Sequence, residues 1–405
     1  MRELWEAVAV KAESGRVLGI LLVFLFSSCQ SLFSGGDSYK REVTMQLIPN
    51  PSSPPPGGEL LHARAVGGND TLHFLFCSQG APSLLIVHTN SSSSTVKVNW
   101  PQFVNRSTSG GLTVEPESSI LYSSAVVFSR LLEYDDENNT AEATSNFFPA
   151  YELKDFSWNL MNLSHPKALL CGSAPHSSNG SLCLQLSVFG TEGRAELWPR
   201  LLHSANSSQV EVWLSGLLPR SNTSRFMLEL QAVGGAYPLS KVDVRQFIDD
   251  EYAPSIFKVS QWVSSVNNSS DVLGFIQWKP VAYRRSRPSL EDATPCRHSD
   301  PQAQSGNATT ASSALVKAFY TDPKVMGMNV SFGIAGDPFY NRTMFLSWTM
   351  LVGVGSPPVD SFSPMVIGIL MAGLGIPIVL LLVGGVYVFI RKMRESSETS
   401  YQPIN

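Results

Sequence analysis

The chain has 405 residues, of which 43% are hydrophobic and only 15% are charged, with 29 Lys and Arg against 33 Asp and Glu. The resulting net charge of -4 argues against nucleic-acid binding, which needs a concentrated basic face, so no nucleic-acid partner is expected. The charged fraction lies below the roughly 25% of an average soluble protein, and Ser, Thr and Asn supply the missing polarity, which fits a surface solvated by sugars.

The first predicted element is a secretory signal peptide at residues 1–36. Its apolar stretch, 17–26, is shorter than the about 20 residues that a membrane-spanning helix needs. Lys11 and Arg16 precede this stretch and small residues follow it, which is the layout of a cleaved signal. We expect cleavage between residues 29 and 36. An uncleaved anchor is the alternative, since the first sixteen residues also carry glutamates.

Short runs with strand character follow a Pro- and Gly-rich arm at 50–59. They are rich in Val, Leu and Phe and are bounded by Gly, Pro, Asn or Ser, which is the pattern of a sandwich or barrel. The runs lie at 71–77, 83–89, 95–100, 125–132, 182–189, 209–214, 226–233 and 328–334. No long helical periodicity occurs between them, so the sequence predicts an all-β region.

Similar strings recur in the same order in the two halves of this region. LLHARAVG at Leu60 resembles LLHSANSS at Leu201, and two further pairs follow. Such an internal repeat predicts two β-sandwich-like domains in tandem, one at 37–200 and one with a stalk at 201–363. Chance similarity among apolar and polar strings is the alternative.

The Asn-x-Ser/Thr pattern, which accepts N-glycans when x is not Pro, occurs thirteen times. This number exceeds chance, and we expect each used acceptor on an exposed turn or strand edge. Two of the acceptors overlap, at 267 and 268, so we expect at most one of them to be used. The acceptors are Asn69, Asn90, Asn105, Asn138, Asn162, Asn179, Asn206, Asn222, Asn267, Asn268, Asn307, Asn329 and Asn341.

Four cysteines remain after the signal peptide, and an even number in an oxidising compartment predicts two disulfides. Cys171 and Cys183 are the local pair, which would leave Cys77 and Cys296 for a long-range bridge. Three connectivities are possible, and the sequence does not choose among them. No cysteine or histidine cluster has the spacing of a zinc site, so no metal or cofactor is expected.

A second apolar segment, 364–390, is long enough to cross a membrane as one α-helix. Arg391, Lys392 and Arg394 follow it at once, and positive charge marks the cytoplasmic end of such helices. The sequence therefore predicts a single-pass type I membrane protein, with 37–363 in the lumen and 391–405 in the cytosol.

The predicted cytoplasmic tail ends in the segment YQPIN. Clathrin adaptor complexes bind a tyrosine followed three residues later by a bulky apolar residue, which they take up as an extended segment. Pro403 favours that extension in the residue before it. We therefore predict a sorting motif whose contact residues are Tyr401 and Ile404.

No nucleophile elbow, metalloprotease helix or phosphate-binding loop occurs in the chain. Two acidic runs, 135–137 and 249–251, are the best candidates for paired carboxylates or calcium ligands. Solvated turns explain such runs more often. We predict no catalytic, cofactor-binding or metal residue, and no enzyme.

Six unusual strings occur in one order along the chain. They are SSAVVFSRLLE at Ser123, DFSWN at Asp155, DDEYAP at Asp249, QWKPVAY at Gln277, LSWTMLVGVGSPPVD at Leu346 and the terminal YQPIN. Through these strings the chain resembles the glycosylated lysosomal membrane protein family, from about Leu60 to the C-terminus.

The resemblance implies a protein of the lysosomal membrane that accompanies a dipeptide transporter of the major facilitator superfamily and protects it from luminal proteolysis. A transporter with short luminal loops cannot carry a thick glycan coat, whereas a neighbour with many acceptors can cover it. Two other functions remain open from the residues: a membrane-tethered lysosomal hydrolase, with 249–251 as its acids, and a β-sandwich surface receptor or adhesion protein.

Overall fold

A computed structural model describes residues 39–50, 60–105, 110–143, 146–175, 180–234, 238–246, 258–266, 271–337, 340–359, 368–369 and 371–398. The predicted signal peptide and the tail residues Tyr401 and Ile404 lie outside these ranges. The first strands are β1 (Glu42–Ile48), β2 (Leu60–Val66), β3 (Thr71–Cys77), β4 (Ser83–Thr89), β5 (Thr95–Val98), β6 (Leu112–Glu115), β7 (Ile120–Asp135), β8 (Tyr151–Glu152), β9 (Ser157–Ser164), β10 (Lys167–Ser173), β11 (Ser181–Val188) and β12 (Gly193–Arg194).

The later strands are β13 (Leu202–His203), β14 (Ser207–Ser215), β15 (Ser224–Gly234), β16 (Lys241–Gln246), β17 (Lys258–Ser265), β18 (Val272–Trp278), β19 (Val281–Tyr283), β20 (Ala293–His298), β21 (Gln302–Gln304), β22 (Lys324–Phe332) and β23 (Phe345–Val354). The α-helices are α1 (Trp100–Val104), α2 (Gly306–Ser312), α3 (Ala314–Phe319) and α4 (Ile376–Glu398). The predicted all-β body with one C-terminal apolar helix is thereby confirmed.

The strands form two large antiparallel sheets. In the first sheet, the order is β1-β2-β3-β4-β7-β15-β22, and β20 and β21 both pair with the far side of β22. In the second sheet, the order is β9-β10-β11-β14-β23-β18-β17-β16. The short strand β19 pairs with both β23 and β20 and so connects the two sheets.

The inner faces of the two sheets pack against each other and form the main core. Phe74 and Val126 from the first sheet lie in one cluster with Val212 and Trp348 from the second, and all four side chains are buried. Successive side chains of a strand point to opposite faces of its sheet, which places these four side chains on the inner faces. Burial of each such side chain contributes about 1.5–3 kcal/mol, so this main core holds the two sheets together.

A second core covers the outer face of the first sheet. Leu85 and Val127 point away from the main core and contact a layer that includes Trp100 of α1 and Val316 of α3. Because β3 and β4 are buried on both faces, their sequences are almost continuously apolar. This layer was not predicted, since helices of five to seven residues are too short to show a helical period.

The prediction of tandem domains at 37–200 and 201–363 is not confirmed. Residues 39–360 form one compact unit, and both sheets combine strands from the two halves of the chain. In the first sheet β7 pairs with β15, and in the second β11 pairs with β14. The repeated strings also differ in structure, because Leu60 starts the seven-residue strand β2 whereas Leu201 precedes the two-residue strand β13.

The disulfide Cys171–Cys183 is present and joins two directly opposed residues of β10 and β11. The expected second bridge does not form, because Cys77 and Cys296 are both buried as thiols. Cys77 lies in the core outside the first sheet, and Cys296 lies in the main core. The two thiols therefore lie on opposite faces of the first sheet and do not meet.

One helix of the described chain is long and apolar enough to cross a membrane. Residues 373–394 contain an 18-residue stretch with a mean hydropathy of 2.4, and their apolar side chains are exposed. The prediction of one membrane-spanning helix is consistent with this segment. The helix continues to Glu398, however, past the predicted end at residue 390.

Candidate functional site

The sequence-predicted site is the set of acceptor asparagines, of which ten lie in the described residues and Asn179, Asn267 and Asn268 do not. Seven of the ten are exposed and three are half-buried. The exposed acceptors are Asn69, Asn90, Asn105, Asn138, Asn162, Asn222 and Asn307. The half-buried acceptors are Asn206, Asn329 and Asn341.

Acceptors lie at both ends of the long strand β7. This strand has sixteen residues, which corresponds to about 50 Å. Asn90 follows Thr89, which pairs with Ile120 at the start of the strand, and Asn138 follows its end at Asp135. Carbohydrate at both positions would therefore cover opposite ends of the first sheet.

Two further acceptors, Asn69 and Asn206, adjoin an ion cluster centred on Asp70 at the first end of the sheet. The guanidinium of Arg41 donates to both carboxylate oxygens of Asp70, at 2.9 Å and 2.5 Å. Tyr39 Oη donates to the same carboxylate at 2.6 Å, and His88 Nε2 lies 2.9 Å from it. Burial alone would raise the pKa of Asp70, but these hydrogen bonds outweigh it and lower the pKa to about 2. The cluster fixes the turn that carries Asn69.

Arg41 also orients the half-buried acceptor Asn206. Its Nε donates to Oδ1 of Asn206 at 3.0 Å, and its Nη1 donates to the carbonyl of Ala65. The backbone N–H of Arg41 donates to the carbonyl of Gly190. Since Oδ1 of Asn206 is held by the guanidinium, its Nδ2 is the amide atom left to carry a glycan. Nothing in the local sequence marks Arg41 for this role.

The serine-rich loop after Asn90 covers a buried pair of histidines. His62 Nε2 lies 3.0 Å from His73 Nδ1, and His73 Nε2 lies 2.9 Å from the hydroxyl of Ser94. Burial and the charge of Arg64 lower the pKa of His62 to about 4. Burial, the charge of His62 and that of Arg64 lower the pKa of His73 to about 3. The sequence shows no histidine cluster with metal-site spacing, and strand spacing alone does not show which histidines meet.

At the other end, three acceptors lie close to one another. Asn341 Nδ2 donates to the carbonyl of Asn222 at 2.7 Å, and Asp136, two residues before Asn138, bonds through its N–H to the carbonyl of Thr223. Glycans here would therefore emerge from neighbouring turns. Asn341 keeps one amide hydrogen after glycosylation, so its contact with Asn222 is compatible with a glycan.

The acidic run at 135–137 does not form a catalytic pair. Asp135 accepts hydrogen bonds from the hydroxyls of Ser221 and Thr223. Asp136 is bound to Arg225 Nε at 2.6 Å, and both side chains are almost fully buried. Each carboxylate therefore stabilises the end of the sandwich. The second run, 249–251, lies outside the described residues, and the described part of the chain contains no group of three metal-binding side chains.

Known proteins are similar to this chain over almost its whole length. A family model described as glycosylated lysosomal membrane protein matches residues 59–395. The relative of that name from Danio rerio is 53% identical over 400 residues, which cover 95% of this chain and 97% of the relative. Glycosylated lysosomal membrane protein B of Xenopus laevis is 38% identical over 407 residues, which cover 96% and 98%.

The chain belongs to the glycosylated lysosomal membrane protein family. These relatives are named as lysosomal membrane proteins and not as enzymes. A family of membrane glycoproteins agrees with the apolar helix at 373–394 and with the exposed acceptor asparagines.

Among solved structures, the chain aligns with an ER glucosidase II heterodimer at 11% identity. The alignment covers 81% of this chain and 34% of the other, with a TM-score of 0.16. A likeness this low supports no statement about fold or activity.

Proposed function

We propose that this chain is a glycosylated accessory subunit of the lysosomal membrane, which shields a dipeptide transporter of the major facilitator superfamily from luminal proteolysis. In this proposal residues 37–363 are luminal, one helix spans the membrane and 391–405 face the cytosol. The supporting observation is the placement of the exposed acceptors at both ends of the sandwich, on the edge strand β9 and on the helical layer.

Two physical properties suit such a body to a compartment full of proteases. Its backbone lies mostly in antiparallel ladders, and proteases need an extended segment that can leave the fold. Glycans at the turns would cover the segments that ladders do not protect, and they would exclude a protease from a neighbouring membrane protein by their bulk. The protein needs no catalytic residue for this role.

The role is tested by the lifetime of the transporter. In cells that lack this protein, we expect the transporter to have a shorter half-life with an unchanged message level. Re-expression of the natural chain should restore the half-life, whereas a chain with the seven exposed acceptors changed from Asn to Gln should restore it poorly. Inhibitors of lysosomal proteases should restore the half-life of the transporter in cells that express the chain with the Asn-to-Gln changes. A normal transporter half-life without this protein would refute the proposal.

The orientation is tested by adding protease to sealed lysosomes. We expect loss of a C-terminal epitope only, with the 37–363 body intact until detergent is added. Digestion of the body in sealed organelles would place it in the cytosol and end the proposal.

Delivery is tested through the tail. Tyr401→Ala should remove adaptor binding and move the protein to the cell surface, while Gln402→Ala, which leaves both contact residues in place, should remain lysosomal. An unchanged distribution of the Tyr401→Ala protein would show that clathrin adaptors do not deliver the protein through this motif.

A further inference from the structure

A groove crosses the outer face of the second sheet near its β9 edge. Its two halves have volumes of about 360 Å³ and 320 Å³, and both are lined by Pro166, Lys167 and Gln185. The first half lies at the tip of the β9–β10 hairpin and includes the acceptor Asn162. The second half lies under the segment 189–203, which carries β12 and β13.

The floor of the groove is a regular array of side chains. Residues directly opposite each other on neighbouring strands point to the same face of a sheet. One row consists of Asn162, Leu169, Gln185 and Glu211, each opposite the next. The adjacent row consists of Ser164, Lys167, Ser187 and Gln209. The acceptor therefore stands at one end of a track that leads to β14 and is polar except for Leu169.

Gln209 provides the observation that points to a ligand. Its side chain is 94% buried (6% exposed), and its Oε1 has no hydrogen-bond partner among the described residues. Buried amide oxygens normally accept a hydrogen bond, because loss of water without replacement is unfavourable. Gln209 lines the groove, and a rotation of its side chain that turns Oε1 toward the groove would let a sugar hydroxyl supply the missing donor.

The groups along the groove match an oligosaccharide. The amides of Gln185 and Gln209 can donate and accept, and the ammonium of Lys167 donates, as sugar hydroxyls require. Phe189 and Leu197 provide apolar surface for the faces of sugar rings. A peptide would add a strand at the open edge of β9, whereas this track lies on the face of the sheet.

We propose that the N-glycan of Asn162 lies in this groove and contacts Lys167, Gln185 and Gln209 with its first sugars. This rests on the proposed function only in that Asn162 must be glycosylated. Three strand spacings of about 4.8 Å separate β9 from β14, a span of about 14 Å that a few sugars cover. Because tethering gives a local concentration of about millimolar, weak contacts suffice to hold the glycan.

The proposal is tested by the rate at which a peptide N-glycosidase removes each glycan from the folded luminal protein. Asn90 is the matched control, because it is also exposed and lies at an end of the first sheet. We expect release from Asn162 to be several-fold slower than from Asn90 in the folded protein and equal after denaturation. Lys167→Ala, at an exposed position, and Gln209→Ala should each accelerate release from Asn162 and leave Asn90 unchanged.

The outcomes separate this proposal from the proposed function. If other acceptors carry glycans but Asn162 does not, or if Asn162 and Asn90 are released equally fast, the groove proposal fails and the accessory role stands. If none of the thirteen acceptors carries a glycan, the proposed function itself fails.

A second measurement identifies the source of the sugar. A free oligomannose with its chitobiose core, added at about 10 mM so that it exceeds the roughly millimolar local concentration of the tethered glycan, should bind Asn162→Gln protein, seen as NMR shifts at Gln185, and should not bind the glycosylated natural protein. Equal binding to both would assign the groove to glycans of another molecule, and binding to neither would show that it holds no sugar. Either result overturns the proposal.

Discussion

His62 Nε2 and His73 Nδ1 lie 3.0 Å apart in the interior of the first sheet, where neither ring is more than 4% exposed. One proton between the two nitrogens satisfies both. A second proton would place two N–H groups face to face and would add charge beside Arg64. Burial accordingly lowers the pKa of both rings, to about 4 and about 3.

We expect the compact body formed by residues 39–360 to lose stability as the pH falls below 6.5. Both folded pKa values lie below the unfolded value of about 6.5, so the stabilisation is complete above pH 6.5 and is lost progressively toward pH 4 and 3. At pH 4.5 the loss is about 2–3 kcal/mol for each histidine. In His62→Gln, the difference in unfolding free energy between pH 7 and pH 4.5 should shrink by about 2 kcal/mol, as measured by urea denaturation.

The exposed residue His165 provides the control for this measurement. In His165→Gln, the difference in unfolding free energy between pH 7 and pH 4.5 should be the same as in the natural protein. If His62→Gln and the natural protein lose the same free energy between pH 7 and pH 4.5, the pair is not the titrating group.

Replacement of Asp136 by Ala should strongly destabilise the far end of the sandwich. The carboxylate lies 2.6 Å from Arg225 Nε, and each side chain is 3% exposed. Removal of one partner leaves a buried charge without its counter-ion, which costs about 3–5 kcal/mol. The exposed pair Lys97–Glu115 is the control, and Glu115→Ala should cost at most about 1 kcal/mol. Similar denaturation midpoints for the two variants would contradict this assignment.

Cys77 and Cys296 should react with a thiol reagent only after unfolding. Both side chains are at most 5% exposed, and burial raises the pKa of the Cys296 thiol. Without reductant, iodoacetamide should label neither residue in the folded protein and both in denaturant, as seen by peptide mass spectrometry. The peptides with Cys171 and Cys183 should require reduction first. Unlabelled Cys77 and Cys296 in denaturant would reveal a second disulfide.

Arg41→Ala should loosen the first strand of the body. Arg41 directly precedes β1 and holds Asp70, Asn206 and the carbonyl of Ala65. Without these contacts, the edge strand β1 should exchange its amide hydrogens faster in hydrogen–deuterium exchange, while the central strand β7 stays protected. Its neighbour Lys40 is exposed, and Lys40→Ala should change neither strand. Unchanged exchange in β1 of Arg41→Ala would show that strand pairing alone holds this edge.

Local sequence predicted eight strand runs, which overlap eight of the 23 strands of the described chain. The predicted runs 71–77 and 83–89 coincide with β3 and β4, since apolar β-formers bounded by turn residues have few other structures. The run 95–100 is strand only to Val98, because the side chain of Asn99 caps α1 by accepting from the N–H of Gln102. Cys171 and Cys183 were the local pair among three possible connectivities, and the structure selects that pairing.

The sequence by itself thus determined eight of the strands, the apolar helix, the positions of the acceptors and the family resemblance, all of which depend on neighbouring residues. Tertiary structure alone decided that β7 pairs with β15 about 100 residues away, which merges the two expected domains into one sandwich. The same long-range pairing brings Lys167 and Gln209 to one groove and sends Cys77 and Cys296 to different cores. The physical reason is that a strand's pattern specifies which face is buried, whereas the packing of the whole core selects its partner and register.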